Sequence, residues 1–280
     1  MQPPRNGPGW LAANLDGDTL STWEMAGGTA GPAQVLRLQE SRPPALAAAL
    51  RQLLGGAPRP VLLGGSALAP PHPVPVRPAE LPAVETDLDG LPVHTLPGLS
   101  QAAPCGLIQG AVAAISGFLR LNPDWDGVIC LPGAVTHWVQ ISAREAVSFQ
   151  SALTARLAQA AVQGMALDTA GPWDKAALAE AVADGIAKPE HLAARLAAVQ
   201  AAAGLGQLPA ETARAQIWGY FLGAELAAAR PYWLGQNLAL IAEPSQQALY
   251  AAALGAQALP VTLADHARMT LEGLKGAWPG

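Results

Sequence analysis

The chain has 280 residues, 51% of them hydrophobic and 13% charged, with a net charge of −5 at pH 7. That balance excludes a disordered chain, and the lack of any basic stripe excludes nucleic acid as an electrostatic partner. Two cysteines, Cys105 and Cys130, exclude a disulfide framework and a cysteine-rich metal site; buried free thiols in a reducing cytoplasm are expected. The opening MQPPRNGPGW has no apolar run of the signal-peptide kind. The most apolar stretch, Cys105–Leu119 (CGLIQGAVAAISGFL), is too short to span a bilayer and reads as a buried helix, so no membrane partner is expected.

Trp10–Leu15 and Thr19–Met25 read as strands around an Asp16-Gly17-Asp18 turn. Gln34–Gln39 reads as a third strand, Pro44–Leu54 as a helix by its apolar spacing, and Pro60–Leu63 as a short buried strand. The proline-rich run SALAPPHPVPVRPAELPA (66–83) reads as an extended loop, and His94–Leu96 as one more strand. After the apolar helix the pattern restarts. Gly127–Leu131, Thr136–Ser142 and Glu145–Ser151 read as strands, and Leu153–Val162, Asp174–Ala203 and Ala210–Ala229 as helical regions. Asn237–Ala242 (strand), Ser245–Leu254 (helix), Pro260–Leu263 (strand) and Ala264–Leu274 (helix) complete the chain. The order strand–strand–strand–helix–strand–helix thus occurs twice. It predicts two α/β lobes, 1–120 and 121–280, with a ligand cleft between them.

Several segments then carry a resemblance: LPGAVTHWV (Leu131–Val139), FQSALTARL (Phe149–Leu157), GQLPAETARAQIWGYFLGAEL (Gly206–Leu226), the opening WLAANL…STW and the closing QQALYAAAL. Over nearly its whole length the chain resembles the 2-dehydro-3-deoxygalactonokinases, of the sugar-kinase and actin-type superfamily. The resemblance implies a two-lobed α/β fold, each lobe a mixed sheet with flanking helices. It also implies ATP-dependent phosphorylation of a 2-keto-3-deoxy sugar acid, with ATP and Mg²⁺ as cofactors and the sugar acid as the small-molecule partner. Such catalysis is positioning plus charge neutralisation.

Site positions follow from that resemblance, residue by residue. Where the family's first hairpin reads D-W-G-T-x-N-x-R, this chain has Asn14-Leu15-Asp16-Gly17-Asp18-Thr19-Leu20-Ser21. Asn14 stands for the metal-holding aspartate, Asp16 for the glycine that lets phosphate approach, and Ser21 for the arginine. Asp16 and Asp18 would each repel a phosphate by roughly 1–4 kcal/mol, or hold Mg²⁺ instead; without the family, the run is an ordinary Asp-Gly turn. The second hairpin, L-P-G-T-H-S-K-W in the family, is Leu131-Pro132-Gly133-Ala134-Val135-Thr136-His137-Trp138, with neutral His137 in place of lysine. Gly223 lies in the helix the family places near its nucleotide, together with Gly219 and Glu225, and Ala242 stands for a glycine beside the adenine. The implied nucleotide positions are therefore Asn14, Asp16, Gly17, Asp18, Gly133, Thr136, His137, Gly223 and Ala242.

For the sugar acid, the family's R-G-E-E-T-Q becomes Gln109-Gly110-Ala111-Val112-Ala113-Ala114, and M-T-G-E-L becomes Leu153-Thr154-Ala155-Arg156-Leu157. The implied substrate positions are Gln109, Gly110 and Thr154. No metal ligand and no catalytic residue is assigned. The joint loss of charged groups predicts a non-catalytic binding or regulatory member, a pseudokinase. The alternative is an active atypical kinase that recruits Asp16, Asp18, Thr136 and His137, with Arg77, Arg156 or Arg195 reaching the nucleotide. A third reading is a structural subunit, packing its alanine-rich helices against a second copy or a partner subunit. His72, His94, His191 and His266 read as surface or cap residues, and Trp173, Trp218, Trp233 and Trp278 as apolar anchors.

Overall fold

A computed structural model describes residues 9–167, 171 and 173–280. In chain order its elements are β1 (Trp10–Asp16), β2 (Thr19–Ala26), β3 (Thr29–Ala30), β4 (Gln34–Arg37), α1 (Pro43–Leu54), β5 (Val61–Gly64), β6 (His72–Pro73), β7 (Val84–Leu88), β8 (Leu91–Thr95), β9 (Leu99–Gln101), β10 (Gly106–Ile108) and α2 (Val112–Leu121). There follow β11 (Gly127–Leu131), β12 (Thr136–Ser142), β13 (Glu145–Ala152), α3 (Thr154–Gly164), α4 (Lys175–Ala187), α5 (Leu192–Gly204), α6 (Ala210–Ala228), α7 (Arg230–Trp233), β14 (Leu238–Ala242), α8 (Pro244–Gly255), β15 (Val261–Asp265) and α9 (His266–Ala277). The chain divides into two compact units, one of Met1–Asp126, Ile141–Phe149 and Ala264–Gly280, the other of Gly127–Gln140 and Gln150–Leu263.

The first unit holds a mixed sheet in the order β3-β2-β1-β5-β8-β7, with β4 also paired to β2. β1 is buried on both faces because helices and loops cover them, which is why WLAANL is a continuous apolar run rather than an alternating one. Leu11, Ala13 and Leu15 of β1 pack with Leu46 and Leu50 of α1 and with Val61 and Leu63 of β5. On α2 and α9, glycine allows close approach: a methyl group at Gly117 would overlap the Met269 carbonyl, and one at Gly273 the Ala113 carbonyl. Trp278, just past α9, stacks on Trp10 with ring centroids 4.2 Å apart, so the expected anchor is one.

The second unit holds β11, β14 and most of β12 and β15, in the sheet order β12-β11-β14-β15, with β11 and β14 parallel. Val128 and Cys130 of β11, Trp138 of β12 and Leu238 and Leu240 of β14 pack with Val182 of α4, Leu222 and Leu226 of α6 and Tyr250 of α8. Trp233 is buried in the same core, as the sequence implied.

Several expectations need correction. Cys130 is buried as expected but Cys105 is exposed, and Trp173, read as an apolar anchor, is exposed too. The apolar stretch 105–119 is not one helix: β10 pairs with β9 at Gly106–Ile108, and α2 starts only at Val112. Gly106 packs beneath the Phe149 ring and Gly110 against the backbone of Leu15 and Asp16, so tertiary contacts hold this segment extended. Within the proline-rich run, His72–Pro73 pairs in parallel with β9, and Pro78–Glu80 forms a 3₁₀ turn. The helical region 174–203 is broken at Lys188–Pro189, where proline cannot continue a helix. Among the described residues no helix is long and apolar enough to cross a membrane.

Candidate functional site

The β1–β2 hairpin joins its strands through a two-residue loop, since Asp16 pairs with Thr19. Gly17 takes φ 61° at the first loop position, a conformation glycine adopts without penalty. Asp16 is half-buried. Asp18 is bound by Arg37 of β4, Nε to Oδ2 3.1 Å, and that hydrogen bond is the first reason its carboxyl lies below the usual range. Asn14, 2% exposed, points into the protein. Its Nδ2 donates to the Gly110 carbonyl at 3.1 Å. Its Oδ1 is buried, lies over Gly64 of β5, and meets no hydrogen-bond donor among the described residues.

The structure therefore brings together Asn14, Asp16 and Gly110 from the implied positions in the first unit. A methyl group at Gly110 would lie 2.6 Å from the Leu15 carbonyl oxygen and 3.1 Å from Asp16 Cα, so only glycine lets the segment before α2 pass this close to β1. Gln109, beside it, is half-buried. Arg77 pairs with Glu80 and Glu145 within this unit.

In the second unit, Pro132–Val135 turn β11 into β12, with Gly133 half-buried in the turn. His137 follows on β12, 8% exposed, with Nδ1 2.8 Å from Ser151 Oγ. Burial pushes its pKa down to about 4, so the imidazole is neutral at pH 7. The position that carries a lysine in the family thus offers no positive charge.

Thr136 and Thr154 meet on a group that the sequence reading placed only within a family segment. Glu225 of α6 is buried, and its Oε1 accepts from Trp138 Nε1 at 2.9 Å while its Oε2 accepts from Tyr250 OH at 3.0 Å. The hydroxyls of Thr154 and Thr136 also bond to it, and Thr136 Oγ lies 2.8 Å from Tyr250 OH. Burial pushes the Glu225 pKa up, against the opposing pull of these hydrogen bonds. An acid in an alanine-rich helix reads as surface, and no periodicity signals this burial.

The other implied positions have plain surroundings. Gly223 faces α4, where a methyl group would come 2.5 Å from the Val182 carbonyl oxygen, so it serves the α4–α6 contact. Ala242 ends β14, 1% exposed, just before Glu243 and Pro244 open α8. Arg195 donates to the Asp184 carbonyl and lies over the Tyr220 ring, and Arg156 is exposed. His94 departs from the surface-or-cap expectation: it lies on β8, edge-on to Trp278 at 5.5 Å. Among the described residues, no group of three or more His, Cys, Asp or Glu side chains could hold a metal ion.

Comparison with known proteins extends this picture. The chain is similar over 97% of its length to 97% of a Sinorhizobium meliloti protein described provisionally as a 2-dehydro-3-deoxygalactonokinase, with 22% identity and a TM-score of 0.84. It is similar, at 11% identity and a TM-score of 0.57, to component A of the Acidaminococcus fermentans (R)-2-hydroxyglutaryl-CoA dehydratase, covering 97% of this chain and 96% of that one. The activator of the Clostridium difficile 2-hydroxyisocaproyl-CoA dehydratase, solved with bound ADPNP, matches at 11% identity and a TM-score of 0.54 over 96% of this chain and 92% of its own. No curated protein matches the sequence. These likenesses show the fold, the sugar-kinase and actin-type α/β fold that the sequence implied. The 2-keto-3-deoxy-galactonokinase family model matches residues 20–277, nearly the whole chain, and the chain belongs to that family.

Proposed function

We propose that this chain is a non-catalytic member of its family that binds a sugar acid without phosphorylating it. Family membership suggests sugar-acid kinase activity, and a fold neighbour was solved with ADPNP. Against that background one observation carries the proposal. Asn14, at the position of the metal-holding aspartate, is a neutral amide turned inward onto Gly110, with its remaining oxygen buried over Gly64.

The residues present do not fit the magnesium-bound nucleotide that the family implies. Asn14 offers no accessible oxygen, Asp18 is engaged by Arg37, and His137 is neutral. Mg²⁺ requires hard oxygen ligands in near-octahedral geometry. Each lost charge-stabilising contact in a phosphoryl transfer costs a few kcal/mol, and two such losses exceed a thousandfold in rate, at about 1.4 kcal/mol per decade. The half-buried Gln109 is a polar, uncharged side chain at the implied substrate position, and Gly110 beside it lies against Asp16.

The test is calorimetric titration of the full chain with 2-dehydro-3-deoxygalactonate and with MgATP, alongside a coupled assay for ADP. The expected result is binding of the sugar acid and no ADP release above buffer. ADP release that requires both compounds overturns the proposal in favour of an active atypical kinase.

A further inference from the structure

The first unit carries a cavity of about 970 Å³ at the end of its sheet remote from the implied family positions. Val61, where β5 begins, lines it, whereas Asn14 stands beside Gly64, where β5 ends. Small-molecule sites run from about 300 to about 1,000 Å³, so the volume suffices for a ligand. The end of α1, the loop 56–60 and the β7–β8 hairpin form its walls. Leu54, Pro58, Pro60, Val61, Leu91 and Pro92 make much of the lining apolar. The charged side chains on it are Arg51, Arg59, Glu85 and Asp87.

Those charges are unevenly matched. Arg51 is held by Asp89, Nη1 to Oδ2 3.7 Å, and Arg59 by Glu24, Nη2 to Oε1 3.3 Å. Both guanidinium groups therefore already have a carboxylate. Asp87 accepts from the Gly90 N–H through Oδ1 at 2.8 Å, a bond that brings no positive charge. Glu85 has no hydrogen-bond or ion-pair partner among the described residues. Two carboxylates thus line the cavity without a cation. Alternation along β7 puts both on one face of the sheet, with Cα atoms about 6–7 Å apart. Glu85 stands directly opposite His94, which also lines the cavity.

β7 is an edge strand, and charge on an edge strand blocks pairing with another chain. That accounts for acids on β7, but not for the apolar hollow they overlook. We propose that this cavity binds a small organic cation, an aliphatic diamine or a like protonated amine. Its ammonium groups pair with Glu85 and Asp87, and its hydrocarbon part lies on the proline and leucine wall. An anion would meet two uncompensated carboxylates and two arginines that are already paired. The site shares no residue with the implied sugar-acid positions, so it stands whether or not the sugar acid binds.

The test is methyl NMR of the full chain titrated with 1,4-diaminobutane at low salt. The controls are 1,4-butanediol and succinate, neutral and anionic molecules of similar length. The diamine is expected to shift the methyl signals of Leu54, Val61 and Leu91 to saturation, and the controls are expected to leave them in place. E85Q/D87N keeps an oxygen for the Gly90 N–H and is expected to bind the diamine about tenfold more weakly, since each exposed ion pair is worth a few-fold. Added salt is expected to weaken the wild type and to leave the residual binding of the variant nearly unchanged. Equal affinity in wild type and E85Q/D87N, equal binding of diamine and butanediol, shifts confined to other residues, or no shift at all overturns the proposal. A lysine-rich peptide that shifts the same methyl signals at lower concentration than the diamine also overturns it, in favour of a protein partner.

Discussion

N14D returns to the first hairpin the carboxylate that its family carries there. In this fold the side chain enters a sealed place: 2% exposed, one atom on the Gly110 carbonyl at 3.1 Å and the other over Gly64 without a donor. An ionised Asp would set an oxygen against the Gly110 carbonyl oxygen and leave its charge uncompensated, which is prohibitive in a buried site. The variant is therefore expected to fold with the acid protonated, donating to Gly110 as the amide does.

Holding that proton at pH 7, against an unfolded-state pKa of about 3.9, costs about 4 kcal/mol at 1.36 kcal/mol per unit. The folded pKa lies above the unfolded one, so the folded state holds the extra proton and stability falls as pH rises. The penalty is absent below about pH 4 and grows by about 1.4 kcal/mol per pH unit until the folded pKa is reached. Urea unfolding of N14D and wild type at several values between about pH 5 and 8 measures the difference. A difference independent of pH, or stabilisation of N14D by millimolar Mg²⁺, would refute the reasoning, since either requires a site open to solvent.

Other outcomes follow from the same geometry. Because His137 has a pKa depressed to about 4, its unfolded imidazole takes a proton that the buried one refuses. Stability should therefore be full above about pH 6.5 and drop by about 2 kcal/mol on the way to pH 5, and H137Q should remove that slope in urea titrations. G273A should destabilise by about 1–3 kcal/mol even though alanine gains about 1 kcal/mol of helix propensity, because its methyl group would meet the Ala113 backbone. G204A, at the end of α5 with nothing within 4 Å, is the control and should be neutral or stabilising. A G273A protein at least as stable as wild type would contradict the close α2–α9 approach.

Strands of the two larger sheets were legible where apolar runs met turn residues, as in Trp10–Asp16 around Gly17 and Gly127–Leu131 before Pro132. Val84–Leu88 was missed although the signal was present. Asp89 and Gly90, with φ 52° and 78°, form the two-residue loop of a hairpin, and an Asp-Gly pair is its usual sequence mark. The extended conformation at Gly106–Ile108 was not legible, because it depends on Phe149 and Leu15, distant in sequence. At the site, the exchange of charged for neutral residues could be read from Asn14 and His137. The inward turn of Asn14 could not, since it follows from the carbonyl of Gly110 arriving beside β1. Glu225 was singled out within its family segment, but its burial was hidden for a similar reason: its partners come from β12, α3 and α8, and no local pattern joins them.

The discontinuous make-up of the two units has a consequence for biosynthesis. The first unit begins with Trp10 but is completed only by Ala264–Gly280, which brings α9 against α2 and Trp278 onto Trp10. On the ribosome the second unit emerges whole before the first has its last helix. A nascent chain therefore carries an open half through most of its translation, with the Gly117 face of α2 bare. A late nonsense codon, one that removes only α9, would damage the half made first and leave the half made second with all its strands and helices.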